Sequence, residues 1–157
     1  EYGEEKLPSG DLSGPEVVVV EGRADVLNLM RAGVNNVIAM NGTKLPDSIK
    51  ALSAEKEITL FIDGDRGGRL IAKNVTDNAR IRYIAVAPDG KEVEELTGKE
   101  ILMCLRKRIP AREFLYKDRF SERDFGGRAR TGSASSSFLN EETKGKIKVI
   151  ENEIKVT

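Results

Sequence analysis

Four short apolar runs recur at intervals of about twenty residues: Val17–Val20, Val37–Met40, Ile58–Ile62, and Arg82–Ala87, the last apolar after its opening residues. They do not alternate apolar with polar, as expected of strands covered on both faces of a parallel sheet. A helical pattern fills each gap. One candidate helix spans 23–32, with Val26, Leu27 and Met30 on one side and Gly33 placed as a C-cap. A second spans roughly 47–56, behind Pro46, with Ile49 and Leu52. A third spans 67–78 with Leu70, Ile71 and Val75, its stripe interrupted by Asn74. Thr97-Gly98-Lys99-Glu100 reads as a capping box opening a helix to about Ile109, with Pro110 helping to stop it. This rhythm predicts an α/β fold, an open parallel sheet of about four strands flanked by helices with right-handed crossovers. In such sheets, chemistry collects beyond the carboxyl ends of the strands.

Composition narrows the chemistry. Among 157 residues, 26 Lys and Arg balance 26 Asp and Glu, so no global basic field draws in nucleic acid or membrane. Histidine is absent, which excludes Ser-His and Cys-His catalysis and His-ligated zinc within this chain. The one cysteine, Cys104, permits neither an internal disulfide nor a cysteine-based metal site, and its apolar helical setting predicts a buried structural thiol. The longest aliphatic run, Val17–Val20, is far too short to span a bilayer, and no signal peptide opens the chain. The expected compartment is cytoplasmic. Opening on Glu1 fits a fragment of a longer protein. Catalysis, if present, falls to carboxylates, Lys or Arg, hydroxyls and bound metal.

The carboxylates are placed for it. Glu21-Gly22 directly follows the first strand, and Asp63-Gly64-Asp65 directly follows the third. Neighbouring strands would turn Glu21, Asp63 and Asp65 into one crevice, with Asp25 one turn into the first helix. Three such charges repel unless neutralised, and an all-oxygen donor set suits Mg²⁺ or Mn²⁺ better than zinc. Asp and Glu also cap helices, and that reading competes most strongly for Asp25. An EF-hand starting at Asp63 fails because its twelfth position is Asn74. A receiver domain fails because Gly22 follows Glu21.

The stretches EGRADVL at 21–27 and FIDGDRGGRLIAKN at 61–74 resemble the TOPRIM domain shared by primases, topoisomerases and some nucleases. MNGT at 40–43, APDGKEVEEL at 87–96 and TGKEILMCLRKRIP are similar in particular to the archaeal DnaG-type primases. The resemblance covers about 16–115 and implies a Rossmann-like TOPRIM fold. It implies primer synthesis on a DNA template: a primer 3′-hydroxyl attacks the α-phosphorus of a nucleoside triphosphate and pyrophosphate leaves. It further implies two Mg²⁺ ions, or Mn²⁺ in their place, with Glu21 and Asp63 at the first and Asp63 and Asp65 at the second. Asp89, in the turn after the fourth strand, resembles an additional metal-binding acid of the family, though its place in a Pro-Asp-Gly turn is the stronger explanation. Asn41, Lys44, Arg66 and Arg69 are candidate phosphate or nucleic-acid contacts.

The organisation expected is a linker over 1–15, a TOPRIM domain over 16–118, a Gly/Ser/Arg-rich linker over 119–143, and a short β-rich segment of a truncated C-terminal region over 144–157. Residues 106–130 hold nine Lys or Arg against four acids, with Phe114, Tyr116, Phe120 and Phe125 interleaved. That pattern suits single-strand backbone contact and stacking, with Arg106 and Arg108 as candidates. Two other readings stand beside priming. One is another TOPRIM phosphotransfer such as a nuclease; a topoisomerase would need a tyrosine nucleophile, and Tyr2, Tyr83 and Tyr116 lie in no recognisable setting. The other is an RNA-binding, exosome-associated subunit that holds adenine-rich RNA.

Overall fold

The structure, a computed structural model, describes residues 1–42 and 44–117. The expected linker over 119–143 and β-rich segment over 144–157 lie outside the described residues, as do Phe120 and Phe125. The elements run β1 (Glu16–Val20), α1 (Arg23–Arg31), β2 (Val37–Ala39), α2 (Asp47–Glu55), β3 (Glu57–Ile62), α3 (Arg66–Asn78), β4 (Tyr83–Val86), a 3-10 turn (Val93–Glu95), α4 (Gly98–Arg106) and β5 (Ile109–Pro110). Residues 111–117 are helical. The sheet order is β2-β1-β3-β4-β5, and the pairings among β1, β2, β3 and β4 are parallel. The α/β reading therefore holds, with one strand added. β5 pairs antiparallel with β4, Ile109 opposite Ile84 and Pro110 opposite Tyr83. α4 consequently ends at Arg106, three residues short of the expected end, because Ile109 belongs to this edge. Proline is tolerated there since an edge strand has ladder positions that need no donor.

Strand side chains feed two cores, one on each face. Val17, Val19, Ile58, Leu60 and Ile62 pack with Ile49 and Leu52 of α2, Ala72 and Val75 of α3, and Phe114. Val18, Val20, Val37 and Phe61 pack with Val26 and Leu29 of α1 and Ile101 of α4. Both faces being covered is what made the strands read as unbroken apolar runs. The helices bury Val26, Ile49, Leu52, Val75 and Ile101 as expected, but not every residue of the expected stripes. Leu27, Met30, Leu70 and Leu102 are exposed, whereas Leu29 and Ala72, not picked out from the sequence, are buried. Phe114 is a core residue and is not available for stacking. Cys104 is half-buried and not fully so; burial pushes its thiol up from the usual range.

The leader over 1–15 is not the free linker its turn-rich composition suggested. Ala39 donates its N–H to the Pro8 carbonyl at 2.9 Å, and Gly10 donates to the Val37 carbonyl at 2.8 Å. Ser9 bridges Ile38 antiparallel, so the leader lies along the outer edge of β2. Leu7 is buried in the core, and Glu5 accepts from the Ser48 N–H at 3.2 Å, at the start of α2. Backbone hydrogen bonds need no particular side chain, so composition does not reveal them. Among the described residues, no helix is long and apolar enough to cross a membrane.

Candidate functional site

The site is built from loops at the carboxyl ends of β1, β2, β3 and β4. β1 delivers Glu21, whose carbonyl accepts the Asn41 N–H at 2.8 Å, which ties the loop after β2 to the loop after β1. Gly22 then caps α1, and its N–H donates to Asp25 Oδ2 at 3.0 Å. Asp25 is buried and serves as the helix-capping acid that the competing reading described. β3 delivers Asp63, whose Oδ1 accepts the Val93 N–H at 2.8 Å. Asp65 caps α3, its Oδ1 accepting the Gly68 N–H at 2.7 Å.

Two glycines let these loops close. A Cβ on Gly64 would lie 2.2 Å from the Pro88 carbonyl oxygen, so only glycine fits where the β3 and β4 loops meet. There Gly64 donates to Lys91 O at 2.9 Å and Gly90 donates to Gly64 O at 2.7 Å. A Cβ on Gly68 would lie 2.3 Å from the Asp63 carbonyl oxygen, where the first turn of α3 presses on the acidic loop.

Together these loops border an open cleft of about 410 Å³, lined by Glu21, Gly22, Ala24, Asp25, Asn41, Gly42, Asp63, Glu92 and Glu94. Glu21 and Asp63, from strands adjacent in the sheet, share it as expected. Burial pushes the Glu21 carboxyl above its ordinary range, and the charges of Asp63, Asp25, Asp65 and Glu92 push it further. Burial likewise raises Asp63, ahead of the opposing Val93 hydrogen bond, with Asp65, Glu92 and Glu95 adding to the rise. Asp25 is raised by burial first. Asp65 is exposed and does not line the cleft, but its charge acts on both Glu21 and Asp63. As they stand, no three of the described acids are drawn close enough to hold an ion.

The remaining expected residues are dispersed. Asn41 borders this cleft and a second one of about 400 Å³, in a left-handed conformation with φ of 58°. Asparagine tolerates that region better than most residues, and such backbone outliers collect at functional sites. Lys44 lines the second cleft with Glu5 and Asp47. Arg66 opens α3 and is exposed; Arg69, also exposed, donates its backbone N–H to Asp65 O at 3.2 Å. Asp89 sits exposed in the turn before Gly90, whose φ is +79°, and does not line the cleft. Arg106 ends α4. Arg108 lies against Tyr83, at the other end of β4 from the cleft.

Glu92 and Glu94 line the cleft without having been picked out from the sequence. The available signal was the E-V-E-E run closely following the fourth strand. What aims it is Asn28, whose Nδ2 donates to Val93 O at 3.0 Å and Leu96 O at 2.8 Å, clamping the 3-10 turn to α1.

Residues 15–87 match the Toprim domain family. DNA primase DnaG of Nanoarchaeum equitans (strain Kin4-M) is 53% identical over 124 residues, which is 77% of this chain and 33% of that protein. DNA primase DnaG of Archaeoglobus fulgidus is 54% identical over 115 residues, 72% of this chain and 29% of that protein. Among solved structures, the RNA polymerase domain of Mycobacterium tuberculosis primase DnaG, in complex with a double-stranded DNA oligomer with a 6-nucleotide overhang, superposes with a TM-score of 0.58 at 27% identity. That match covers 71% of this chain and 40% of the other. The chain thus spans about a third of the curated relatives it matches. It carries a Toprim domain over residues 15–87 and over most of its length is similar to archaeal DnaG primases.

Proposed function

We propose that this chain is the catalytic core of a DNA primase, a nucleotidyltransferase that synthesises RNA primers on a DNA template from nucleoside triphosphates. The observation that carries the reading is the joint presence of Glu21 and Asp63 in one cleft, where the charge of Asp63 adds to the rise of the Glu21 carboxyl. The donor set there is all oxygen, and mutual repulsion with burial raises its carboxyls, as suits hard divalent cations. Glu21 and Asp63 would hold one Mg²⁺ and Asp63 and Asp65 a second, with Glu92 and Glu94 adding charge at the rim. Bound there, such ions neutralise the attacking and leaving oxygens of an in-line displacement.

The chain's own residues do the positioning. The loops after β1 and β3 carry Glu21 and Asp63 into the cleft, Gly64 and Gly68 let the β3 loop close, and the Asn28-clamped turn brings Glu92 and Glu94 to the same cleft. In this reading Glu21, besides its ligand role, would help to take the proton from the primer 3′-hydroxyl as it attacks the α-phosphorus. Arg66, at the exposed start of α3, and Lys44, which shares the second cleft with Asn41, would supply the cations for triphosphate or template phosphates. Little covalent chemistry falls to the protein in phosphoryl transfer beyond such positioning. Neither the fold nor these relatives favours the exosome-associated reading.

Primer synthesis from labelled ribonucleotides by the full-length protein tests this. Glu21→Gln is expected to lower primer yield at least about 100-fold at unchanged fold, a ligand loss being no milder than that of its supporting partners. Equal yields from the two proteins would remove the assignment.

A further inference from the structure

At the end of β4 remote from the acidic cleft, two guanidiniums share one aromatic ring. Arg82 Cζ lies 5.4 Å from the Tyr83 ring centroid and Arg108 Cζ lies 4.7 Å from it, both within cation–π range. The antiparallel β4–β5 pairing makes this arrangement, because the Ala111 N–H donates to Arg82 O at 2.9 Å and Pro110 stands opposite Tyr83. The same register sets Ala111 opposite Arg82, with Arg112 the next residue along the chain, and Arg80 precedes Arg82 by two residues. The stretches 80–83 and 106–112 hold Arg80, Arg82, Arg106, Lys107, Arg108 and Arg112 without a single acid. All six are exposed. Of the acids close by, Glu57 pairs with Arg82 at 2.9 Å and Glu113 pairs with Lys117 at 3.1 Å. No described carboxylate pairs with Arg108.

We propose that this surface binds the phosphodiester backbone of a nucleic-acid strand, at a place separate from the acidic cleft. β4 alone separates the two by roughly 13 Å, four residues at the usual strand rise. The Tyr83 ring and the Leu105 carbonyl, which accepts from Arg108 Nη1 at 3.0 Å, hold the Arg108 guanidinium in place. One of its five N–H donors is thereby used, and the others remain for phosphate oxygens. A guanidinium fixed in this way loses little side-chain freedom on binding, and its planar fork matches phosphate geometry. With both guanidiniums against the ring, the surface reads phosphate and not base, so its binding is independent of sequence. A strand held here lies outside the negative cleft, whose uncompensated carboxylates repel it.

Fluorescence anisotropy with a labelled mixed-sequence 16-nucleotide DNA strand, in EDTA, tests the surface without any contribution from cleft-bound metal. The reading of the cleft therefore stands or falls separately. The double variant Arg82→Glu/Arg108→Glu is expected to weaken binding at least about 10-fold. It should also flatten the plot of log K against log salt by about 1.4, the value for two lost single-strand phosphate contacts. Arg80→Glu/Arg112→Glu, on exposed positions, should act in the same direction and guards against misfolding of the first pair. RNA and duplex arms identify the strand that binds best. Unchanged affinity and slope in both double variants would overturn the proposal. So would displacement of the DNA by poly-aspartate of equal charge at equal concentration, which would mark an acidic protein partner.

Discussion

Asp63 Oδ1 accepts the Val93 N–H at 2.8 Å, and this bond joins the loop after β3 to the turn that carries Glu92 and Glu94. It stabilises the Asp63 carboxylate, yet burial and the neighbouring acids outweigh it, and the carboxyl remains raised. Glu21 and Asp25 are raised as well.

The sign of the resulting pH dependence follows from linkage. A carboxyl raised in the folded state binds protons more tightly there than in the unfolded chain. Stability from these groups is therefore gained as pH falls from neutrality toward the ordinary carboxylate range, and lost as pH rises through the raised values. In EDTA, Glu21→Gln removes one of the repelling charges. After allowance for solvent screening at this part-exposed site, it should raise Tm at neutral pH by on the order of 1–3 °C. It should also flatten the fall of Tm with rising pH, as read by circular dichroism melts. A variant that melts lower than the parent in EDTA would show that the cleft carboxylates are not under mutual strain.

Divalent cations should reverse the same strain. With Mg²⁺ or Mn²⁺ at 100 times its Kd, binding to the native state stabilises by about 2.7 kcal/mol. Asp63→Asn should abolish the shift, because Asp63 is the carboxylate assigned to both ions. Asp89→Asn should leave it intact, since Asp89 is exposed in its turn and outside the cleft. A thermal shift in the presence and absence of metal, with Ca²⁺ as a comparison, separates these outcomes. Equal shifts in the parent and Asp63→Asn would place the ions elsewhere.

How legible this arrangement was depends on what each contact is made of. The strands β1 to β4 and the acids at the ends of β1 and β3 showed in the sequence because apolar runs and D-G-D clusters are side-chain patterns. β5 did not, being two residues long with a proline in it. Glu92 and Glu94 read as ordinary surface acids, and only the tertiary bonds of Asn28 and Asp63 turn them into the cleft. The helical stripes were right at Val26, Ile49, Leu52, Val75 and Ile101 but wrong at Leu27, Met30, Leu70 and Leu102, because in helices as short as α1, with nine residues, apolar residues at plausible spacing did not fix which face packs.

Gly64→Ala tests the loop closure directly. The added Cβ would meet the Pro88 carbonyl oxygen at 2.2 Å and the Ala87 carbonyl oxygen at 2.5 Å, both backbone atoms that cannot swing aside. The expected loss is about 1–3 kcal/mol from overpacking, measured by urea denaturation. Gly14→Ala is the control, because no heavy atom lies within 4 Å of its Cβ position, and it should change stability by less than about 0.5 kcal/mol. Indistinguishable stabilities would show that the two loops separate without cost.

The docked leader makes the last prediction. Leu7 is 3% exposed and packs into the core formed by Ile38, Met40 and Ile49, although it lies in a segment of turn-forming composition. If residues 1–15 were a free linker, Leu7→Ala would leave stability unchanged. Burial in a preformed core predicts a loss of about 2–5 kcal/mol instead, since the cavity left behind relaxes only partly. Leu27→Ala, at a residue of the same type that is 50% exposed on α1, provides the comparison and should cost far less. The leader also covers the backbone of β2 through the Pro8 and Gly10 hydrogen bonds, so releasing it uncovers a sheet edge. Hydrogen exchange at the Ala39 amide, which donates to Pro8 O at 2.9 Å, should accelerate in Leu7→Ala and stay slow in Leu27→Ala. Fast exchange at Ala39 in the parent protein would contradict the docking.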